Sequence, residues 1–119
     1  MAQSMKLVCA IIKPLKLDYV LESLALIGIR SLTVTETKGY GQKGPTEFYR
    51  GAEFTAKFRT MIKIEVAVTA HQVQSVVETI LRAAKTGQTG DGKIFVSQLD
   101  QVWNIRTSDI DEAVPPLAA

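Results

Sequence analysis

The segment of this sequence best equipped to hold a ligand is Thr86-Gly-Gln-Thr-Gly-Asp-Gly-Lys93. Gly87, Gly90 and Gly92 leave backbone N–H groups uncovered, and successive N–H groups in such a turn can converge on an anion. Lys93, directly after the last glycine, adds a point charge. The spacing is not that of a P-loop, and no Ser or Thr follows the lysine. A ligand-free helix-to-strand turn has the same composition, so this segment alone leaves both readings open. Lys38-Gly-Tyr-Gly41 comes second. A strand running into Gly-x-Gly lets backbone approach a bound molecule closely, although a plain turn has that pattern too. Glu65, set among alternating apolar residues, offers a carboxylate that either accepts from a ribose hydroxyl or simply faces solvent.

Catalysis has little to stand on. His71 is the one histidine; it falls at the start of a helix beside Gln72, with no acid or nucleophile in a partnering position. A metal site needs more His, Cys or clustered carboxylate than the sequence offers. Cys9 cannot form an internal disulfide, and its place in the apolar run Leu7-Val-Cys-Ala-Ile-Ile12 reads as a buried structural thiol in a reducing compartment.

The elements that position these residues follow from periodicity. Residues 6–12 form a short apolar run closed by Lys13-Pro14, a strand buried on both faces or nearly so. Leu17, Val20, Leu21, Leu24 and Ile27 recur at helical spacing, with Asp18 and Glu22 toward the positive end of the helix dipole and Gly28 as its C-terminal cap. Thr33, Thr35 and Thr37 alternate with Val34 in a second strand that ends near Lys38. A polar stretch punctuated by Gly39, Gly41, Gly44 and Pro45 then runs to about Ala56, far longer than the usual connection and for that reason suspected of function. Ile62, Ile64, Val66 and Val68 mark a third strand, ended by Thr69. Val73, Val76, Val77, Ile80, Leu81 and Ala84 mark an amphipathic helix that Gly87 stops. Ile94-Phe-Val96 is a fourth strand, Val102–Arg106 a last extended piece, and the tail after Thr107 is expected to be mobile.

The order β-α-β, β-α-β with an extra C-terminal strand predicts an α+β sandwich, a ferredoxin-like βαββαβ fold with both helices on one face of an antiparallel sheet. A chain of 119 residues suffices for one such domain with its own core. The opposite sheet face needs a cover, and copies of the same chain are the simplest one. A formal net charge of +2 argues for neither nucleic acid nor membrane as a partner. No run reaches the roughly 18 apolar residues of a membrane helix, and the polar Met1–Met5 start does not resemble a secretory signal, so a cytoplasmic location is expected.

Three segments, in order, resemble the PII signal-transduction proteins: Ala10-Ile-Ile-Lys-Pro14 with Lys16-Leu-Asp18; Lys38-Gly-Tyr-Gly41 through Thr46-Glu-Phe-Tyr-Arg-Gly-Ala-Glu53; and Thr86 through Val96. The likeness runs from about residue 5 to 107. It implies a homotrimer with an adenine nucleotide, ATP, ADP or AMP, in each intersubunit cleft, and a sensor rather than an enzyme. It makes residues 40–57 the partner-contacting T-loop and residues 86–93 the phosphate-holding B-loop. The positions so implied for the nucleotide are Ile11, Thr33, Gly39, Gly41, Gln42, Glu65, Ala67, Thr86, Gly87, Gly90, Asp91, Gly92, Lys93 and Arg106. Gln42 matches the residue that touches Mg bound with ATP, and 2-oxoglutarate binds alongside in the family. Tyr49 and Arg50 match the loop tip that contacts partners, among them ammonium channels and nitrogen-assimilation enzymes.

Several positions depart from the family pattern. Phe54 and Ala52 replace a tyrosine and a serine that carry modifications in relatives, so neither modification can occur there. The T-loop is one residue short, and Gly41-Gln42-Lys43 lacks an arginine; Asn104 replaces a second arginine, and Met61 replaces a lysine that pairs with 2-oxoglutarate. Charge-assisted hydrogen bonds contribute about 1.5–3 kcal/mol each, so two lost arginines weaken ATP on the order of a hundredfold unless Arg59 or Lys57 compensates. The expectation is a divergent member that favours ADP or AMP, responds weakly to 2-oxoglutarate, and senses another small anion such as bicarbonate. An RRM-type RNA-binding module shares the element order, but no aromatic pair follows Tyr40 at the required spacing. A nucleoside diphosphate kinase on this fold needs a pocket histidine, which His71 does not supply.

Overall fold

The computed structural model describes residues 4–41 and 58–110. Its elements are β1 (Met5–Ile12), α1 (Leu17–Leu26), β2 (Thr33–Tyr40), β3 (Phe58–Thr69), α2 (Val73–Ala84), β4 (Gly92–Leu99) and two short strands, β5 (Trp103–Asn104) and β6 (Asp109–Ile110). The first four strands form one antiparallel sheet in the order β2-β3-β1-β4.

Side-chain alternation divides this sheet into two faces. Val8, Ala10 and Ile12 of β1 and Ile62, Ile64, Val66 and Val68 of β3 point toward the helices and are buried. There they join Val20 and Leu24 of α1 and Val76, Ile80 and Ala84 of α2 in one core. The other face carries Leu7, Cys9 and Ile11, with Lys63 and Glu65 beside them, all only half-buried. Cys9 is therefore not a core thiol; it lies on the uncovered face between Glu65 and Phe95 in register. Partial burial, then the Glu65 charge, pushes its thiol pKa up, away from the reactive thiolate.

The first helix ends as its sequence implied. The Gly28 N–H donates to the Ala25 carbonyl at 3.0 Å and the Ile29 N–H to the Leu24 carbonyl at 2.9 Å. This is a Schellman closure, with Gly28 at φ 94° in the left-handed region and Ile29 buried in the core with Leu24. At the start of the second helical segment the Thr69 N–H donates to Gln72 Oε1 at 2.8 Å, which turns the chain out of β3.

Four boundaries differ from the sequence expectation, one of them that of β4, which spans Gly92–Leu99 rather than Ile94–Val96. β2 continues through Gly39 and Tyr40, and β3 begins at Phe58 rather than Ile62. Cross-strand pairing accounts for both: Gly39 lies opposite Arg59, and the Tyr40 and Phe58 rings meet with centroids 4.9 Å apart. The C-terminal piece is a small hairpin rather than one strand, with Trp103 opposite Ile110 and Asn104 opposite Asp109. The expected mobile tail thus includes a paired stretch, Asp109–Ile110; residues 111–119 lie outside the described residues.

Candidate functional site

β4 runs beside β1, and the turn that delivers the chain into it sits at the same end of the sheet as the close of β2 and the start of β3. A cleft of about 620 Å³ opens there. Its lining comes from all three: Gly39, Tyr40 and Gly41; Arg59 and Met61; and residues 88–93, with Ile11 and Phe95 as floor.

The wall formed by residues 86–92 is built around Asp91. Its carboxylate accepts from the Thr86 N–H at 2.8 Å, from the Gly87 N–H at 2.9 Å and from the Thr86 hydroxyl. The Lys13 ammonium sits 3.3 Å from the same carboxylate, and the Gln88 N–H donates to Thr86 Oγ1 at 3.1 Å. These bonds, the Thr86 hydroxyl first and the Thr86 N–H second, hold the Asp91 carboxyl well below the usual carboxylate range. The amides of Thr86, Gly87 and Gln88 are consequently committed to the loop itself. Thr89 and Gly90 form a hydrogen-bonded turn that engages the Asp91 N–H, while among the described residues nothing accepts from the N–H groups of Thr89 and Gly90, which remain as donors for an anion.

A pH dependence follows. Because the folded pKa of Asp91 is depressed, its contribution to loop order is fully present above the unfolded value of about 3.9 and is lost as pH falls through the folded one. The Thr86 and Gly87 amide resonances are expected to hold steady from neutral pH down to about 4 and to move only below it. Movement near pH 6 in a pH-titrated NMR spectrum would contradict the Asp91 assignment.

The loop glycines are not equivalent. Gly87, Gly90 and Gly92 all have positive φ, at 87°, 88° and 111°. Gly92 has a second constraint: a Cβ there would fall on the Ile11 carbonyl, 2.8 Å from its carbon. In the Lys38–Gly41 segment, a Cβ on Gly39 would come 3.3 Å from Met61 Cγ, whereas Gly41 has open space around it. The absence of a side chain at Gly39 is thus filled by Met61 rather than left for a ligand.

Of the positions marked out by sequence, the fold gathers Ile11, Gly39, Gly41, Gly90, Asp91, Gly92 and Lys93 on the cleft. Thr33, Glu65 and Ala67 do not line it; Thr33 and Glu65 are register partners on the uncovered sheet face, in the row that contains Cys9. Arg106 is exposed in the C-terminal hairpin. There Asn104 Oδ1 accepts from the Arg106 N–H at 3.0 Å and the Thr107 N–H at 3.3 Å, so Asn104 shapes the turn. His71 is exposed. Gln42, Tyr49, Arg50, Ala52, Phe54 and Lys57 lie outside the described residues. Tyr40, Gln88 and Thr89, members of the two glycine-bearing segments, also line the cleft, as does Phe95, which lies outside both. Strand alternation from Lys93 would have found Phe95.

Residues 5–109 match the family described as Nitrogen regulatory protein P-II. The chain belongs to the P-II family. It is 57% identical to Nitrogen regulatory protein P-II of Rhizobium etli over 108 residues, 90% of this chain and 96% of that one. It is 54% identical to Nitrogen regulatory protein GlnK of Escherichia coli K12 over 110 residues, 92% of this chain and 98% of that one. The crystal structure of Arabidopsis thaliana PII bound to citrate superimposes with a TM-score of 0.77 at 35% identity, covering 92% of this chain and 90% of that one. This P-II chain is a signal-transduction regulator with the ferredoxin-like fold of its family. Among its described residues no helix is long and apolar enough to cross a membrane.

Proposed function

We propose that this P-II protein is a sensor, not an enzyme, that holds an adenine nucleotide with its phosphates in the cleft and regulates partner proteins through residues 42–57. The observation that carries this reading is the pair of unengaged N–H donors at Thr89 and Gly90 near Lys93, in a cleft of about 620 Å³ that suits a nucleotide. The half-open sheet face, with Leu7, Cys9, Ile11 and exposed Phe95, supports a homotrimer in which a neighbouring copy covers it. Thr33, Glu65 and Ala67 then meet the nucleoside end of the ligand at that junction.

Met61 favours a weak response to 2-oxoglutarate. It is 7% exposed, packed on Gly39, and offers no charge to a dicarboxylate. The nucleotide preferred is ADP or AMP, with a small anion such as bicarbonate as the second effector, the trimer acting in the cytoplasm on a metabolic enzyme or channel.

Titration calorimetry with ATP, ADP and AMP, each with and without Mg and 2-oxoglutarate, tests the reading. The expected result is nucleotide binding with ADP or AMP tightest and no heat from 2-oxoglutarate. Tight 2-oxoglutarate binding that requires Mg-ATP would make this an ordinary nitrogen sensor, and no nucleotide binding at all would end the proposal.

A further inference from the structure

Among the described residues two cations line the cleft, Lys93 and Arg59. Lys13 stands close by but is committed: its ammonium pairs with Asp91 at 3.3 Å and approaches Thr86 Oγ1 at 3.5 Å. Asp91 is the one carboxylate among the described residues of the lining, and its oxygens are taken by Thr86, Gly87 and Lys13. The described part of the cleft therefore presents a net positive surface whose charge is divided between a lysine on β4 and an arginine on β3.

Arg59 differs from a solvated surface arginine in where its head lies. A Cβ built on Gly90 would come 3.2 Å from Arg59 Nη1 and 3.9 Å from Arg59 Cζ, so the guanidinium rests against a glycine whose own N–H is one of the open donors. Among the described residues no carboxylate lies within ion-pair distance of it. Its backbone is fixed by pairing with Gly39, next to the Tyr40–Phe58 ring contact. A guanidinium is planar, always charged and matched to phosphate oxygens.

We propose that Arg59 is a ligand-binding residue that clamps the phosphate chain of the nucleotide from β3, opposite Lys93. This rests on the nucleotide reading above and adds to it the residue that supplies the charge missing between Gly41 and Gln42. An arginine on a paired strand is held in place before the ligand arrives, so less ordering is needed on binding than from a long loop.

The test compares wild type with Arg59→Leu and Arg59→Lys, titrating each with ADP and with adenosine. Arg59 is exposed and the leucine keeps the stem's apolar contact, so the fold is expected to survive; thermal unfolding checks this. ADP affinity is expected to fall between about tenfold and a hundredfold in Arg59→Leu, with adenosine unchanged and Arg59→Lys intermediate. Equal ADP affinity in wild type and Arg59→Leu overturns the proposal. So does an equal loss of ADP and adenosine, which marks a structural role. Wild type that binds neither ligand refutes the nucleotide reading and this inference with it, and that result differs from failure of the arginine alone.

Discussion

Gly92→Ala is expected to be the most damaging single substitution in the described structure, lowering stability by about 3 kcal/mol or more and abolishing ligand binding. Two independent costs meet at this residue. Its φ of 111° lies where L side chains are strained, and the new methyl would overlap the Ile11 carbonyl. Neither can relax alone, because Ile11 and Gly92 belong to adjoining strands, with Gly92 paired to Ile12. Opening the β1–β4 junction would relieve the overlap, but it would also displace Lys93 and the N–H donors of Thr89 and Gly90. Thermal or urea unfolding measures the first effect and calorimetry the second. Gly87→Ala is the control: it has positive φ but nothing within contact distance, so the backbone term of about 1–2 kcal/mol acts by itself. Equal stabilities for the two variants would refute the close-approach account of Gly92.

Ile64→Ala is expected to lower stability by about 2–5 kcal/mol while leaving ligand affinity of the folded protein nearly unchanged. Ile64 is 0% exposed at the centre of the sheet, between Ala10 of β1 and Val34 of β2. Its removal leaves a cavity that the small neighbour Ala10 cannot fill. The residue faces the helices, and the cleft lies on the other face at the end of the strands. Urea unfolding gives the stability loss, and titration well below the unfolding midpoint gives affinity. A parallel loss of both would mean that core packing and cleft geometry are coupled through β3.

Periodicity made most of this fold legible. The alternation at Ile62–Val68 and the helical spacing of Val20 and Leu24 or Val76 and Ile80 each reflect one buried face, and those residues are the core. The β2–β3 extension was not legible. Arg59 and Thr60 do not alternate with apolar residues, because near the cleft neither sheet face is covered. What holds that end is pairing between Tyr40 and Phe58, residues far apart in sequence.

At the site, glycine content marked residues 86–93 as a ligand loop. It could not divide the N–H groups between Asp91 and a ligand, since that division depends on a five-residue turn closing on one carboxylate. The C-terminal hairpin was missed for a similar reason: its turn is set by the Asn104 side chain, with Ser108 at φ 65°. Only Asn, Asp and Gly adopt such a conformation cheaply, so Ser108 gave no warning.

The strand order also governs when during synthesis the molecule can exist. β1 leaves the ribosome first, yet both its neighbours come later: Met5 pairs with Thr69 on one side and Leu99 on the other. A central strand made first and completed last puts a high loop-closure cost ahead of any reward, which places folding toward the slow, millisecond-to-second end for small domains. Until Gly92–Leu99 has emerged, one edge of β1 stands open and able to pair with a stranger. The cleft needs this last strand of the four-stranded sheet, so a nascent chain has no such cleft before the sheet has closed.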